Sequence, residues 1–142
     1  LIKKVESEKE YQDVLSIRMT VFVDEQNVPK EEEIDEFEHI STHFIAYDDN
    51  GMALATARYR IVDSIVKVER VAVLKDARGL GVGKQLMLFL ENDALQQGYT
   101  QFKLGAQTHA IPFYEALGYT AYGDQFLDAG IPHYFMKKQV RL

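Results

Sequence analysis

The chain has 142 residues, 46% of them hydrophobic and 27% charged, the balance of one globular domain large enough to bury its own core. Sixteen Lys and Arg against 22 Asp and Glu leave a formal charge of −6, which argues against nucleic-acid binding through a net positive field. Cysteine is absent, so disulfides, thiolate nucleophiles and Cys-ligated zinc are excluded.

In chain order, residues 2–6 read as a short strand. From about 8 to 24 the apolar positions Tyr11, Val14, Leu15, Val21 and Phe22 recur at helical spacing, and Arg18 falls on the same stripe. An arginine there needs a buried partner, for which Glu25, Glu33 and Asp35 are candidates. Pro29 opens a second short helical stretch to about residue 39. Residues 42–48 and 52–62 flank Asp49-Asn50-Gly51, a hairpin signal. In the second of these strands Ala53, Ala55, Ala57, Tyr59 and Ile61 share one face and Thr56, Arg58 and Arg60 the other. A third strand is read at 65–74. Then come a glycine-rich loop, a helix over about 82–97 closed by Gly98, a strand at 101–106, and a helix over about 109–117 closed by Gly118. Two strands near 119–127 and 132–140 finish the chain. Neither a repeat nor a linker divides it, so residues 1–142 read as one domain. The order predicts an α/β (α+β mixed) protein, with a mixed central sheet of about six to seven strands and helices on both faces. The four histidines (His39, His43, His109, His133) form no HExxH pair, and no metal is expected. No apolar run approaches a membrane span. The start, Leu1-Ile2-Lys3-Lys4, offers no secretory signal, and its lack of Met is read as processing or trimming. A cytoplasmic protein bound to neither membrane nor nucleic acid is the expectation.

Chemistry concentrates in residues 71–84. Gly79, Gly81 and Gly83 alternate directly after a strand and at the mouth of a helix, where free N–H groups and the positive end of the dipole receive anions. Arg78 and Lys84 add charge at either edge, and a diphosphate is the natural guest. The Walker pattern fails, with Arg78 in place of its first Gly and Gln85 in place of its Ser/Thr. The Rossmann pattern fails as well, because Lys84 stands where its third Gly belongs.

The run Arg78-Gly79-Leu80-Gly81-Val82-Gly83 matches R-x-x-G-x-G and resembles the pyrophosphate-binding signature of the GNAT superfamily of N-acetyltransferases. The preceding strand Val68–Val73 and the later Ala110-Ile-Pro-Phe113-Tyr114-Glu-Ala-Leu-Gly118-Tyr119 are similar to that family's pattern. Residues 25–35 and 126–133 look like its small bacterial ElaA/YjcF-like branch. The resemblance spans nearly the whole chain and implies a GNAT-like acyl-CoA N-acyltransferase fold with acetyl-CoA as cosubstrate. It further implies a β-bulge before the loop, where the backbone of Val71, Ala72 and Val73 pairs with the pantetheine arm and polarises the thioester. Arg78, Gly79, Leu80, Gly81, Val82, Gly83 and Lys84 would hold the diphosphate. Gln107 stands where many members place an Asn that bonds the arm. Tyr114 matches the usual general acid, a phenol near ~10 facing a thiol near ~8.5.

The base is open. An alkylamine near ~10.4 is almost wholly protonated at pH 7, and Glu69, read on the same strand face as Val71 and Val73, is the leading acceptor of its proton. The structural alternative is an ion pair of Glu69 with Arg58 or Arg60. His109 and His133 are weaker candidates. Residues 24–38 carry eight acids and one Lys, net −7, while the other 127 residues sum to +1. This acidic segment lies where the family builds its acceptor wall, so Glu25, Glu33, Asp35 and His133 are expected acceptor contacts, with attraction of a cationic amine as one reading and a solvated helix face as the other. The expected activity is N-acetylation of a small-molecule or peptide amine by a monomer or homodimer. A CoA-binding sensor or docking module without turnover is the alternative. Acyl-homoserine-lactone synthesis, suggested by the run Arg18-Met-Thr-Val21-Phe22, ranks last.

Overall fold

A computed structural model describes residues 1–141. Its strands are β1 (Ile2–Lys4), β2 (Thr42–Tyr47), β3 (Ala53–Val62), β4 (Ile65–Val73), β5 (Gln101–Gln107), β6 (Thr120–Asp128) and β7 (Ile131–Gln139). They form one mixed sheet in the order β1-β2-β3-β4-β5-β7-β6. Every pairing is antiparallel except β4 with β5. Helices α1 (Glu8–Arg18), α2 (Lys30–Glu33), α3 (Val82–Gln96) and α4 (Ile111–Ala116) complete the chain.

Helix α1 starts on a capping box: the Ser7 hydroxyl accepts from the Glu10 N–H, while the Glu10 carboxylate accepts from the Ser7 N–H. Its apolar stripe, Val14 and Ile17, packs with Val21 on Ile45 and Ala72 of one sheet face. The opposite face carries the larger core, where Leu86, Met87, Leu90 and Ala94 of α3 and Tyr114 and Leu117 around α4 meet Phe44, Ala57, Val66, Phe102, Leu104 and Met136. Helices thus cover both faces. Among the described residues no helix is long and apolar enough to cross a membrane.

Three local readings of the sequence are corrected. The first helix does not run regularly to 24: beyond Arg18 it widens into a π-helical turn, Met19–Glu25. The second is a single turn, Lys30–Glu33, because Ile34 goes extended and the chain turns so that Asp35 and Glu38 reach buried arginines. Strand faces also switch at bulges. Between Ala46 and Tyr47 of β2 the register with β3 shifts, which moves Ala53 to the α1 side while Ala55 stays on the α3 side.

The decisive bulge lies in β4. Thr56 pairs with Ala72 and Arg58 with Glu69, so β4 fits one extra residue opposite β3. Arg70 there has φ +55, a conformation non-glycine residues seldom adopt. The bulge inverts the alternation. Val66 and Val68 before it and Val71 and Val73 after it all pack on the α3 side, whereas Ala72 packs on the α1 side. Glu69, two residues from Lys67, therefore shares the α1 face with Ala72, and not the face of Val71 and Val73 as strict alternation requires.

Candidate functional site

Strands β4 and β5 pair only over Val66–Val68 with Phe102–Leu104. Past the bulge they part, and the gap opens a cleft of about 830 Å³. Val71, Ala72 and Val73 line one side of it, Gln107 another, and Tyr114, Glu69, Arg78, Glu25, Glu33 and His133 face the same space. These ten and His109, all singled out from the sequence, thus line one cavity, while residues 79–84 are not in its lining. Asp35 lies behind it, bound to Arg58.

The glycine loop stands at the end of β4. Gly81 caps α3 with φ +83 and no side chain caps the helix, so the N–H groups of its first turn point outward unpartnered until Gln85, whose N–H reaches the Gly81 carbonyl at 3.1 Å. A Cβ at Gly81 meets nothing within 4 Å, so its side is open, whereas at Gly83 it would stand 3.3 Å from Val73 and 3.4 Å from Phe113. Glycine at 83 lets the helix end approach the bulged strand. An open cradle of free N–H groups beside a splayed strand edge fits a diphosphate with an extended arm. Arg78 lies across this space: its Nε–H donates to the Val73 carbonyl at 3.0 Å and its Nη2–H to Glu25 at 2.8 Å.

Tyr114, on α4, is 7% exposed, with its ring edge-on to Phe113 and Tyr119. Burial pushes its phenol well above the ordinary value, so the proton stays on through the neutral range. Deeper in, the Tyr119 hydroxyl donates to Glu91 at 2.6 Å and Lys138 bridges to the same carboxylate, a packed triad behind the site.

Glu69 sits beside the bulge, and one oxygen, Oε1, accepts from Arg58 at 3.2 Å and Arg60 at 3.0 Å. Both arginines named as structural partners are engaged. The other oxygen faces, among the described residues, the Lys67 ammonium at 3.9 Å. This carboxylate belongs to a larger network. Arg18, 1% exposed, binds Glu33 at 2.6 Å and Glu38 at 2.8 Å, not Glu25 or Asp35. Arg58, wholly buried, binds Asp35, Glu38 and Glu69. Arg70 reaches the carbonyls of Glu32 and Glu33 and the Asp35 carboxylate over 3.3–3.4 Å. Burial pushes the Glu38 carboxyl up, but hydrogen bonds and charge from Arg18, with Tyr11 and Arg58 behind them, outweigh it and hold it well below the usual range. Much of the acidic segment is consequently neutralised: Glu33, Asp35 and Glu38 close on buried arginines, and Glu25 pairs with Arg78. The Arg18-Met-Thr-Val21-Phe22 run is accounted for by the same contacts, with Arg18 in the network and Val21 in the core.

Gln107 donates through Nε2 to the Gln26 side chain at 2.8 Å, tying the end of β5 to the π-helical segment. His133 lies within hydrogen-bonding distance of the Ile131 carbonyl through Nδ1, at 2.6 Å. A carbonyl oxygen only accepts, so Nδ1 donates in that contact. Sequence reasoning missed Phe22, Gln26, Lys67, Arg70, Phe126 and Phe135, all of which line the cleft. The alternating aromatics of β6 and β7 were the available signal for the last two; Arg70 carries none, because a bulge leaves no mark on composition.

The GNAT acetyltransferase domain family matches residues 2–140. Over 133 residues, 93% of this chain and 94% of the relative, 46% of positions are identical to the uncharacterized N-acetyltransferase YjcF of Bacillus subtilis. The crystal structure of an acyl-CoA N-acyltransferase from Pseudomonas aeruginosa superimposes with TM-score 0.84 at 31% identity, covering 97% of both chains. That of Escherichia coli ElaA gives 0.85 at 27%, covering 98% of this chain and 100% of the other.

Proposed function

The chain belongs to the GNAT acetyltransferase family, and from that premise we propose that it moves an acetyl group from acetyl-CoA to a primary amine of a small acceptor by direct attack on the thioester. The observation that carries the reading is one cleft lined by the bulged edge of β4, by Arg78 and by Tyr114, with the uncapped start of α3 packed against Val73 at its side. When bound, the cosubstrate supplies an activated acyl carbon and a thiolate leaving group. The N–H groups of residues 79–84 hold the diphosphate, and the Lys84 ammonium adds charge. The backbone of residues 71–73 orients the arm and offers an N–H to the developing oxyanion. Arg78 moves off the Val73 carbonyl and onto the phosphates, and Gln107 bonds the arm from β5.

Glu69 takes the amine's proton through its free oxygen by way of a water, with Arg58 and Arg60 fixing the carboxylate's orientation. Tyr114 donates to the departing sulfur. Its raised pKa makes complete proton transfer uphill, so its contribution is a hydrogen bond that strengthens as charge grows on sulfur. Glu32, and Glu25 once Arg78 has moved to the phosphates, form the wall past which an ammonium enters, while Glu33 stays paired with Arg18.

The test is thiol release from acetyl-CoA across a panel of amines, beside calorimetric binding of CoA. Turnover with at least one amine, lowered about a hundredfold or more in Tyr114→Phe at unchanged CoA affinity, is expected. CoA binding without turnover for any amine, and no effect of Tyr114→Phe, makes the protein a CoA-binding module instead.

A further inference from the structure

The α1 face of the sheet is not laid uniformly. Around α1 it is apolar, and none of the buried residues of that smaller core comes from β5, β6 or β7. Over those strands the same face carries side chains of another kind. Cross-strand register sets Arg60 opposite Lys67, Lys67 beside Lys103, and Lys103 opposite Lys137, one row of four cations over β3, β4, β5 and β7. Their neighbours Val66, Val68, Phe102, Leu104 and Met136 point into the opposite core, so all four point to the α1 side. Like charges set side by side across strands cost stability. Glu69 offsets Arg60 and Lys67. Among the described residues no carboxylate lies within 4 Å of Lys103 or Lys137. Their ammonium groups rest on rings instead, Lys103 at 4.6 Å from the Phe135 centroid and Lys137 at 5.0 Å from that of Tyr122.

Those rings form a stack running into the cleft. His133 lies on Phe126 at 5.6 Å, Phe126 on Phe135 at 4.3 Å, and Phe135 on Tyr122 at 6.1 Å. Gly105 makes room for it, since a Cβ there would stand 3.2 Å from the Phe126 ring. The cleft therefore has acids on the wall around α2 and a floor of aromatic rings, with Lys67 in its lining and Lys103 outside that lining, against the Phe135 ring.

We infer that the acceptor carries an anionic group, a carboxylate or a phosphate, and that Lys67 and Lys103 receive it while the amine lies at Glu69. The inference rests on the acyl-transfer reading above and names the substrate class for that site. Lys67 and Glu69 lie two residues apart on one strand face, with the Lys67 ammonium 3.9 Å from the second Glu69 oxygen, and Lys103 is one strand spacing further, about 5 Å. The acceptor is thus an amine with its acid about 4 to 9 Å away, from Lys67 to one strand spacing beyond it, a range that takes in a dipeptide and an amino sugar phosphate. Phe126 and Phe135 flank the body of such a molecule.

The experiment measures kcat/KM at saturating acetyl-CoA for matched pairs: dipeptides against their carboxamides, and amino sugar phosphates against the free amino sugars. The wild type is expected to favour the anionic member about tenfold or more, chiefly through KM, because hydrogen bonds to a charged group exceed those to a neutral one. In Lys103→Met and in Lys67→Met that ratio falls toward one, with the calorimetric CoA affinity as the check that the fold is intact. The pair with the larger ratio identifies carboxylate or phosphate. CoA binding with a wild-type ratio of one or less, with turnover of uncharged amines alone, or with a ratio untouched by both substitutions, overturns this inference and leaves acyl transfer standing. Failure to bind CoA at all overturns acyl transfer, and this inference with it.

Discussion

Replacing Glu38 by Gln tests whether the buried ion network holds the acceptor wall against the sheet. Four arginines (Arg18, Arg58, Arg60, Arg70) and four carboxylates (Glu33, Asp35, Glu38, Glu69) form a cluster of matched charge, with the Lys67 ammonium at its edge. Glu38 is its hub, 5% exposed and accepting from Arg18, Arg58 and Tyr11 at 2.6–2.9 Å. Glutamine keeps the shape but leaves one uncompensated positive charge among buried guanidinium groups, which costs about 3–5 kcal/mol. With a urea slope of about 2 kcal/mol/M the unfolding midpoint falls by roughly 2 M. The pH dependence adds a second readout. The Glu38 carboxyl titrates below its unfolded value near ~4.3, so its stabilisation is full at neutral pH and drains away as pH falls below about 4. The variant loses that part of the acid limb. A Glu38→Gln midpoint within about 0.3 M of wild type, with an unchanged acid limb, refutes the reasoning.

Gly81→Asp forces a side chain into a left-handed conformation and sets a negative charge at the anion cradle; calorimetry should show CoA affinity weakened at least tenfold. Glu25→Gln releases Arg78 and removes a competing anion, and since this pair is substantially exposed the gain in CoA affinity is modest, about two- to fivefold. Glu69→Gln retains hydrogen bonds to Arg58 and Arg60 but cannot take a proton. Its kcat is expected to drop about a hundredfold at unchanged CoA affinity; activity within threefold of wild type moves the base role to His133.

Element order, the strand-to-helix glycine loop and the family were legible in the chain, because each is written in local pattern: periodicity of 2 or 3.6, a glycine where φ turns positive, and a loop spelling short enough to match residue by residue. The choice of Tyr114 rests on the same kind of match, and the residue lines the cleft. What eluded local pattern was register. Period-2 counting put Glu69 with Val71 and Val73, and one extra residue at Arg70 turned it to the opposite face. Partner choice eluded it as well: Arg18 demanded a buried acid, yet Glu38 was chosen over Glu25 and Asp35 by a turn after α2 that composition does not record. The lysine row is the clearest case. Lys67, Lys103 and Lys137 lie more than thirty residues apart, and only the pairing of β4, β5 and β7 makes them neighbours. Local spacing is encoded in the backbone's own geometry; cross-strand charge, in contrast, exists only after distant strands have aligned, since Coulomb and ring contacts act over a few ångströms of space regardless of separation along the chain.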